Sequence, residues 1–238
     1  MSQSSHKLSV LPHLIKWIPK NPTAFKKVIS FDLDHTIIKP VQGRFSRTSD
    51  DWLFMKYGEI DTLEKLSNYL NASPDLHFVL FSNQGGVVSE PKTTKSCIKH
   101  VDKINKILKH ISDIDSNLCD RIWIYCATKK PASLFGKTKS TKSSNKVNKI
   151  TKNNTDTATK RKIIDGRIIT PELFDIMRKP NRGMFDEFIK DAGDGADSIS
   201  VSFYCGDAAG RPNDFSDSDK AFADTIGVPF KLPEEFFR

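Results

Sequence analysis

The run Val28-Ile29-Ser30-Phe31 stops abruptly at Asp32-Leu33-Asp34, two carboxylates one residue apart, followed by His35 and the hydroxyl of Thr36. Apolar β-formers bounded by polar residues read as a buried strand. In open α/β sheets, ligands gather at the carboxyl ends of such strands. Two like charges this close repel unless a cation or a shared proton relieves them. A strand running into an Asx turn would leave the same pattern, and the stretch alone does not choose between the two readings.

The rest of the chain repeats the theme. Asp61 stands as an N-cap before Leu63, Leu66 and Leu70, which fall at helical spacing. Residues 77–81 read as a second strand. Cys97, Val101, Ile104, Leu108 and Ile111 recur at three and four, the stripe of an amphipathic helix. Lys95, Lys99, Lys103, Lys106 and Lys109 crowd its other faces and read as solvated. Residues 121–127 and 199–204 supply two more strands. Helices are expected over residues 171–177, with Pro171 at the start, over 184–190, and finally over 220–226. Such alternation predicts a Rossmann-like α/β fold, a mainly parallel sheet with helices on both faces. Residues 8–27 read as an edge element of that sheet. Residues 39–51, rich in turn formers, read as a flap or hairpin over the site. Trp52 and Tyr57 read as packing aromatics, and residues 191–197 as a glycine- and acid-rich turn.

Residues 136–162 break the pattern. Lys, Ser, Thr and Asn dominate, too little apolar surface to hold a fixed structure, so a mobile insert is expected within one domain of residues 8–238. Gly136-Lys137-Thr138 looks like the end of a phosphate-binding loop, but Pro131 stands where that loop needs glycine. A kinase domain is therefore not expected.

Three more motifs close strands or follow helices: Ser82-Asn83-Gln84-Gly85-Gly86, Arg178-Lys179-Pro180 and Cys205-Gly206-Asp207. In this order they resemble the haloacid dehalogenase superfamily. Within it, Gly183-Met184, Gly206-Asp207-Ala208-Ala209-Gly210-Arg211-Pro212 and Asp214-Phe215-Ser216 are similar to the phosphatase domain of the polynucleotide kinase 3′-phosphatases. So are Asp219, Gly227-Val228-Pro229-Phe230 and the closing Pro233-Glu234-Glu235-Phe236-Phe237. The resemblance covers the chain from about residue 8 onward, apart from the insert.

The resemblance implies a phosphatase without a large cap domain. It makes Asp32 the nucleophile, Asp34 the general acid and then base, and Ser82 and Lys179 the binders of the phosphoryl group. Mg²⁺ is the implied cofactor, held by Asp32, the main-chain carbonyl of Asp34, and Asp207. Asp219 is expected behind them, orienting Lys179 or a metal-bound water, with Asp214 as an alternate. Thr36, the amide of Asn83, Arg182 and Arg211 are the expected substrate contacts, although either arginine could instead pair with a nearby carboxylate. His35 departs from the glycine usual at its position. The implied substrate is a 3′-phosphate at a DNA end, single- or double-stranded, handled in strand-break repair. The rivals are a phosphatase of the same fold acting on a metabolite or phosphoprotein, and a non-catalytic module that binds broken DNA.

Charge agrees with a polyanionic partner. The formal net charge is +8 with a sequence pI near 9.2, which favours nucleic acid through counterion release, unless the excess sits in a solvated insert. Cys97, Cys119, Cys126 and Cys205 show no Cys-x-x-Cys spacing and read as reduced thiols, two of them in strands. No apolar run reaches membrane-spanning length, and no secretory signal is recognised. A nuclear monomer is expected, with Lys160-Arg161-Lys162 a short basic cluster suited to import.

Overall fold

The computed structural model describes residues 5–135, 161–193 and 198–238. In chain order the elements are β1 (His6–Val10), β2 (Leu14–Pro19), β3 (Lys27–Phe31), β4 (Ile38–Lys39), β5 (Leu53–Phe54), α1 (Thr62–Asn71), β6 (Leu76–Asn83), α2 (Lys95–Ile114), α3 (Ser116–Cys119) and β7 (Ile122–Ala127). There follow α4 (Ala132–Phe135), β8 (Lys162–Ile164), β9 (Arg167–Ile169), α5 (Pro171–Met177), α6 (Gly183–Ala192), β10 (Ser200–Cys205), α7 (Ser218–Ile226), β11 (Phe230–Lys231) and α8 (Pro233–Phe237).

Seven strands make the main sheet in the order β1-β2-β7-β6-β3-β10-β11. The pairs from β7 through β11 are parallel, and β1–β2 and β2–β7 are antiparallel. Strands buried on both faces read as continuous apolar runs, and the period of two sorts their side chains between two cores. Ile29, Phe31, Phe78, Leu80, Ile122 and Ile124 face one core, which α1 and α2 close with Leu63, Leu66, Ile104 and Leu108. Val28, Val79, Phe81, Trp123 and Tyr204 face the other, closed by Met184 and Phe188 of α6 and Phe222 of α7. Each large side chain removed from water contributes about 1.5–3 kcal/mol.

The helices start where the sequence places caps. The Asp61 side chain accepts from the Glu64 amide at 2.9 Å, and Thr94 Oγ1 accepts from the Cys97 amide at 3.1 Å. Each satisfies an amide that has no partner within its helix. All four cysteines are buried free thiols, with Cys126 in β7 and Cys205 in β10. Tyr57 stacks on Phe237 with ring centroids 5.2 Å apart, and Trp52 packs against the first core.

Several expectations need correction. Residues 8–27 are two strands rather than one edge element: β1 lies at the sheet edge, while β2 sits inside it against β7. The final helix is α8, beyond α7. Lys162, assigned to the insert, opens the β8–β9 hairpin. Asp191 belongs to α6. Residues 136–160, which carry Gly136-Lys137-Thr138, Lys160 and most of the expected insert, lie outside the described residues, as do residues 194–197. Among the described residues, the chain between Asp34 and Ser82 holds the β4–β5 hairpin and α1, with no folded cap. Among them, too, no helix is long and apolar enough to cross a membrane.

Candidate active site

β3, β6 and β10 run parallel, so their carboxyl ends lie side by side. The Asp32 amide donates to the Cys205 carbonyl at 2.8 Å, which aligns the ends of β3 and β10 and brings Asp32 near Asp207. Beyond Asp32 the chain turns through His35, whose φ is +65°. That left-handed conformation is strained for a residue with a Cβ, which is the physical reason glycine suits this position. His35 Nε2 lies 3.1 Å from the Arg44 carbonyl and so joins the turn to the 40–52 flap.

Lys179 is the centre of the first cluster. It follows α5 and is 5% exposed. Its Nζ donates to Asp32 Oδ1 at 2.5 Å, to Asp219 Oδ1 at 2.7 Å and to the Tyr204 hydroxyl at 2.8 Å. The Tyr204 hydroxyl donates in turn to Asp219 Oδ1 at 3.0 Å, and Asp219 Oδ2 accepts from the Ala208 amide at 3.0 Å. Asp219 therefore orients Lys179, one of the two roles expected of it. Burial opposes the Lys179 charge, but Asp219 and Asp32 overcome this and hold its pKa above the ordinary lysine value. Burial pushes Asp32 up, against the pull of Lys179, and the charges of Asp219 and Asp207 add to the rise. Burial and Asp219 raise Asp207 as well.

One ammonium thus bridges two carboxylates, with that of Asp207 beside them. Asp32, Asp207 and Asp219 present oxygens that all lie within 4.8 Å of one another. An all-oxygen, acid-rich set of this kind suits a hard cation such as Mg²⁺. Both Asp219 oxygens already accept protein hydrogen bonds, which leaves Asp32 and Asp207 as the side chains suited to hold the ion. These two lie close enough to share an ion.

Asp34 belongs to a second cluster. Its Oδ1 accepts from Lys103 Nζ at 3.0 Å and its Oδ2 from Gln84 Nε2 at 2.7 Å. The same Gln84 nitrogen donates to Ser82 Oγ at 2.8 Å, so acid and serine are tied together. Burial would raise the Asp34 pKa, but the charge of Lys103 and the Gln84 hydrogen bond outweigh it and lower the value. Lys103 corrects the sequence reading, because it is buried rather than on a solvated face. Its neighbours hold the flap: Lys99 Nζ donates to the Ser46 carbonyl at 3.1 Å, and Lys106 Nζ to Ser49 Oγ at 2.9 Å.

The expected substrate contacts fare differently. The Asn83 side chain brackets the Lys179 peptide, with Nδ2 donating to its carbonyl at 3.0 Å and Oδ1 accepting from its amide at 2.9 Å. Thr36 is fully buried in the turn after β3. Among the described residues its Oγ1 has no hydrogen-bond partner. Arg182 pairs with Asp186 at 2.8 Å. Arg211 pairs with Asp214 at 3.0 Å and Glu234 at 2.7 Å, and also donates to the Asp207 carbonyl at 3.1 Å. Without substrate both arginines thus pair with carboxylates, one of the two readings left open for them. Asp214 accepts from the Ala209 and Arg211 amides, each at 3.0 Å, and so shapes the loop that carries Asp207. Gly206 is required by close approach, since a Cβ there would lie 2.5 Å from Asp219 Cγ.

Sequence reasoning missed Lys103, Gln84 and Tyr204. Gln84 stands in a motif already singled out, and Tyr204 precedes another. For Lys103 the available signal is position: His100, Lys103, Ile104 and Ile107 share the buried face of α2.

A solved structure described as a HAD-like phosphatase, from Mesorhizobium loti, superposes with a TM-score of 0.50 at 12% identity, covering 92% of this chain and 78% of that one. At that identity it shows the haloacid dehalogenase-like fold alone. The polynucleotide 3′-phosphatase of Saccharomyces cerevisiae is 38% identical over 98% of this chain and 99% of its own length. The bifunctional polynucleotide phosphatase/kinase of Schizosaccharomyces pombe is 31% identical over 89% of this chain and 38% of its own length. Residues 27–237 match the family model described as polynucleotide kinase 3 phosphatase, and the chain belongs to that family.

Proposed function

We propose that this chain, a phosphoric monoester hydrolase by family, removes the 3′-phosphate from DNA ends through an aspartyl-phosphate on Asp32. The observation that carries the reading is the buried Asp32–Lys179–Asp219 cluster beside Asp207, with a separately held Asp34 two residues from the nucleophile. Mg²⁺, held by Asp32, Asp207 and the Asp34 main-chain carbonyl, would supply positive charge against the phosphoryl group and relieve the crowding of carboxylates.

The chain's own groups divide the remaining work. Ser82 Oγ, held at the end of β6, and the amides of the following glycine turn bind phosphoryl oxygens. Asp32 attacks phosphorus, forming an acyl-phosphate bond as the bond to the 3′-oxygen breaks. Asp34, in its protonated form, gives its proton to that oxygen, a transfer worth about 10²–10⁴-fold for a poor leaving group; Lys103 and Gln84 favour the ionised form before substrate binds. In the second step Asp34 takes a proton from the water that attacks phosphorus, which returns both carboxyls to their starting state. Lys179 meets charge on Asp32 and on the phosphoryl group throughout, an electrostatic role strengthened by burial.

The absence of a folded cap among the described residues, together with the net charge of +8, favours a macromolecular polyanion over an enclosed metabolite. The same reading extends to strand-break repair in the nucleus. The test uses the full chain with Mg²⁺ and oligonucleotides phosphorylated at either terminus. Release from the 3′ end alone is expected, weakening steeply as salt rises. Equal release from phosphoserine or sugar phosphates would overturn the reading in favour of a metabolite or phosphoprotein phosphatase.

A further inference from the structure

We propose that Lys103 is a positioning residue that aims Asp34 at the leaving oxygen, an inference that rests on the reading of Asp34 as proton donor. Three features carry it. First, each oxygen of the Asp34 carboxylate has its own donor, Lys103 Nζ at 3.0 Å and Gln84 Nε2 at 2.7 Å. A carboxylate gripped at both ends has little freedom to rotate. Second, Gln84 Nε2 also reaches Ser82 Oγ at 2.8 Å, so the grip sets Asp34 at a fixed place relative to the phosphate-binding hydroxyl. Third, Lys103 is anchored on a packed face. It lies mid-way along α2 with a side chain 7% exposed, between His100 and Ile107 on the face packed against the core.

An apolar residue would suit that face better, since burying an ammonium costs desolvation and side-chain entropy. What the lysine gains is a partner on another element, 69 residues away in sequence. Its Nζ also lies 3.4 Å from Ser46 Oγ, so the grip on Asp34 extends to the flap. Misplacing a reacting group by about 1 Å can cost about 10²-fold, and the β3–β4 turn by itself does not fix where the Asp34 carboxyl points.

The step at issue is bond cleavage. The phosphorus–O3′ electron pair goes to O3′, which takes the proton from Asp34 while the Asp32 oxygen bonds to phosphorus. A leaving group that needs no proton bypasses Asp34 in the first step alone, because Asp34 still activates water in the second; the comparison therefore reads release of the leaving strand within a single turnover. The experiment therefore compares a 3′-phosphorylated oligonucleotide with the same strand ending in a bridging 3′-S-phosphorothiolate, whose thiolate departs unprotonated. For Lys103→Met, the single-turnover rate of strand release from the oxygen ester should fall about 10–100-fold with the half-saturating substrate concentration changed by less than about threefold, and the rate on the thiolate ester should fall less than about threefold. Lys103→Arg should recover part of the oxygen-ester rate. Equal losses on both substrates would make Lys103 a structural support and overturn the proposal. Asp34→Asn separates the two layers: if it fails to discriminate between the substrates, the proton-donor reading itself is wrong. If it discriminates and Lys103→Met does not, only the positioning role falls. Circular dichroism checks folding, and Lys103→Gln replaces the methionine variant in the same comparison if that variant is unfolded.

Discussion

Two buried lysines grip two carboxylates that stand two residues apart, and they do so differently. Lys179 joins Asp32 to Asp219, and all three side chains are at most 10% exposed. Lys103 grips Asp34 alone, whose side chain is 32% exposed, with a glutamine completing the hold. The first ion cluster is buried and lies against the second core, through Tyr204. The second opens toward the flap and the mouth of the site. The nucleophile's end is thus built for fixed charge, and the acid's end for access to a leaving group and to water.

Removing each lysine should expose that difference. Lys179→Met leaves Asp32 and Asp219 buried without a cation, which typically costs about 3–5 kcal/mol, and it should lower kcat about 10²–10³-fold by loss of a charge aimed at the reacting centre. Lys103→Met leaves a partly solvated acid that still has Gln84, and should cost only about 1.5–3 kcal/mol. Urea titrations of both variants check the order, and a larger loss for Lys103 would break the contrast. Lys109, on the same helix, pairs with Asp113 at 2.7 Å in solvent, 71% exposed. Lys109→Ala should shift stability by no more than about 0.5 kcal/mol. An effect as large as that of Lys103 would mean that burial is not what distinguishes them.

The same contrast explains what the sequence could and could not tell. Lys179 was legible because it stands in a short fixed motif next to a proline, at the end of a predicted helix. Asp32, Ser82 and Asp207 were legible because each closes an apolar strand, and parallel strands bring their ends together. Lys103 was not. It sits in a row of five lysines spaced along α2, and only the distant Asp34 decides which of them turns inward. For Arg182 and Arg211 the sequence left two readings open, a substrate contact or a nearby carboxylate. Their carboxylate partners appear only once α6 and the loop after β10 are folded. The β8–β9 hairpin, with three residues in each strand, is too short for periodicity to reveal. The five-residue α8 was hidden for the same reason.

The most direct test of the account is transfer of labelled phosphate to the protein. An oligonucleotide carrying a ³²P-labelled 3′-phosphate is mixed with enzyme and Mg²⁺, quenched in acid within one turnover, and the protein is digested and mapped. The account predicts a hydroxylamine-sensitive label on the peptide that carries Asp32, absent from Asp32→Asn. Undiminished phosphate release by Asp32→Asn, or label on a different residue, would contradict it.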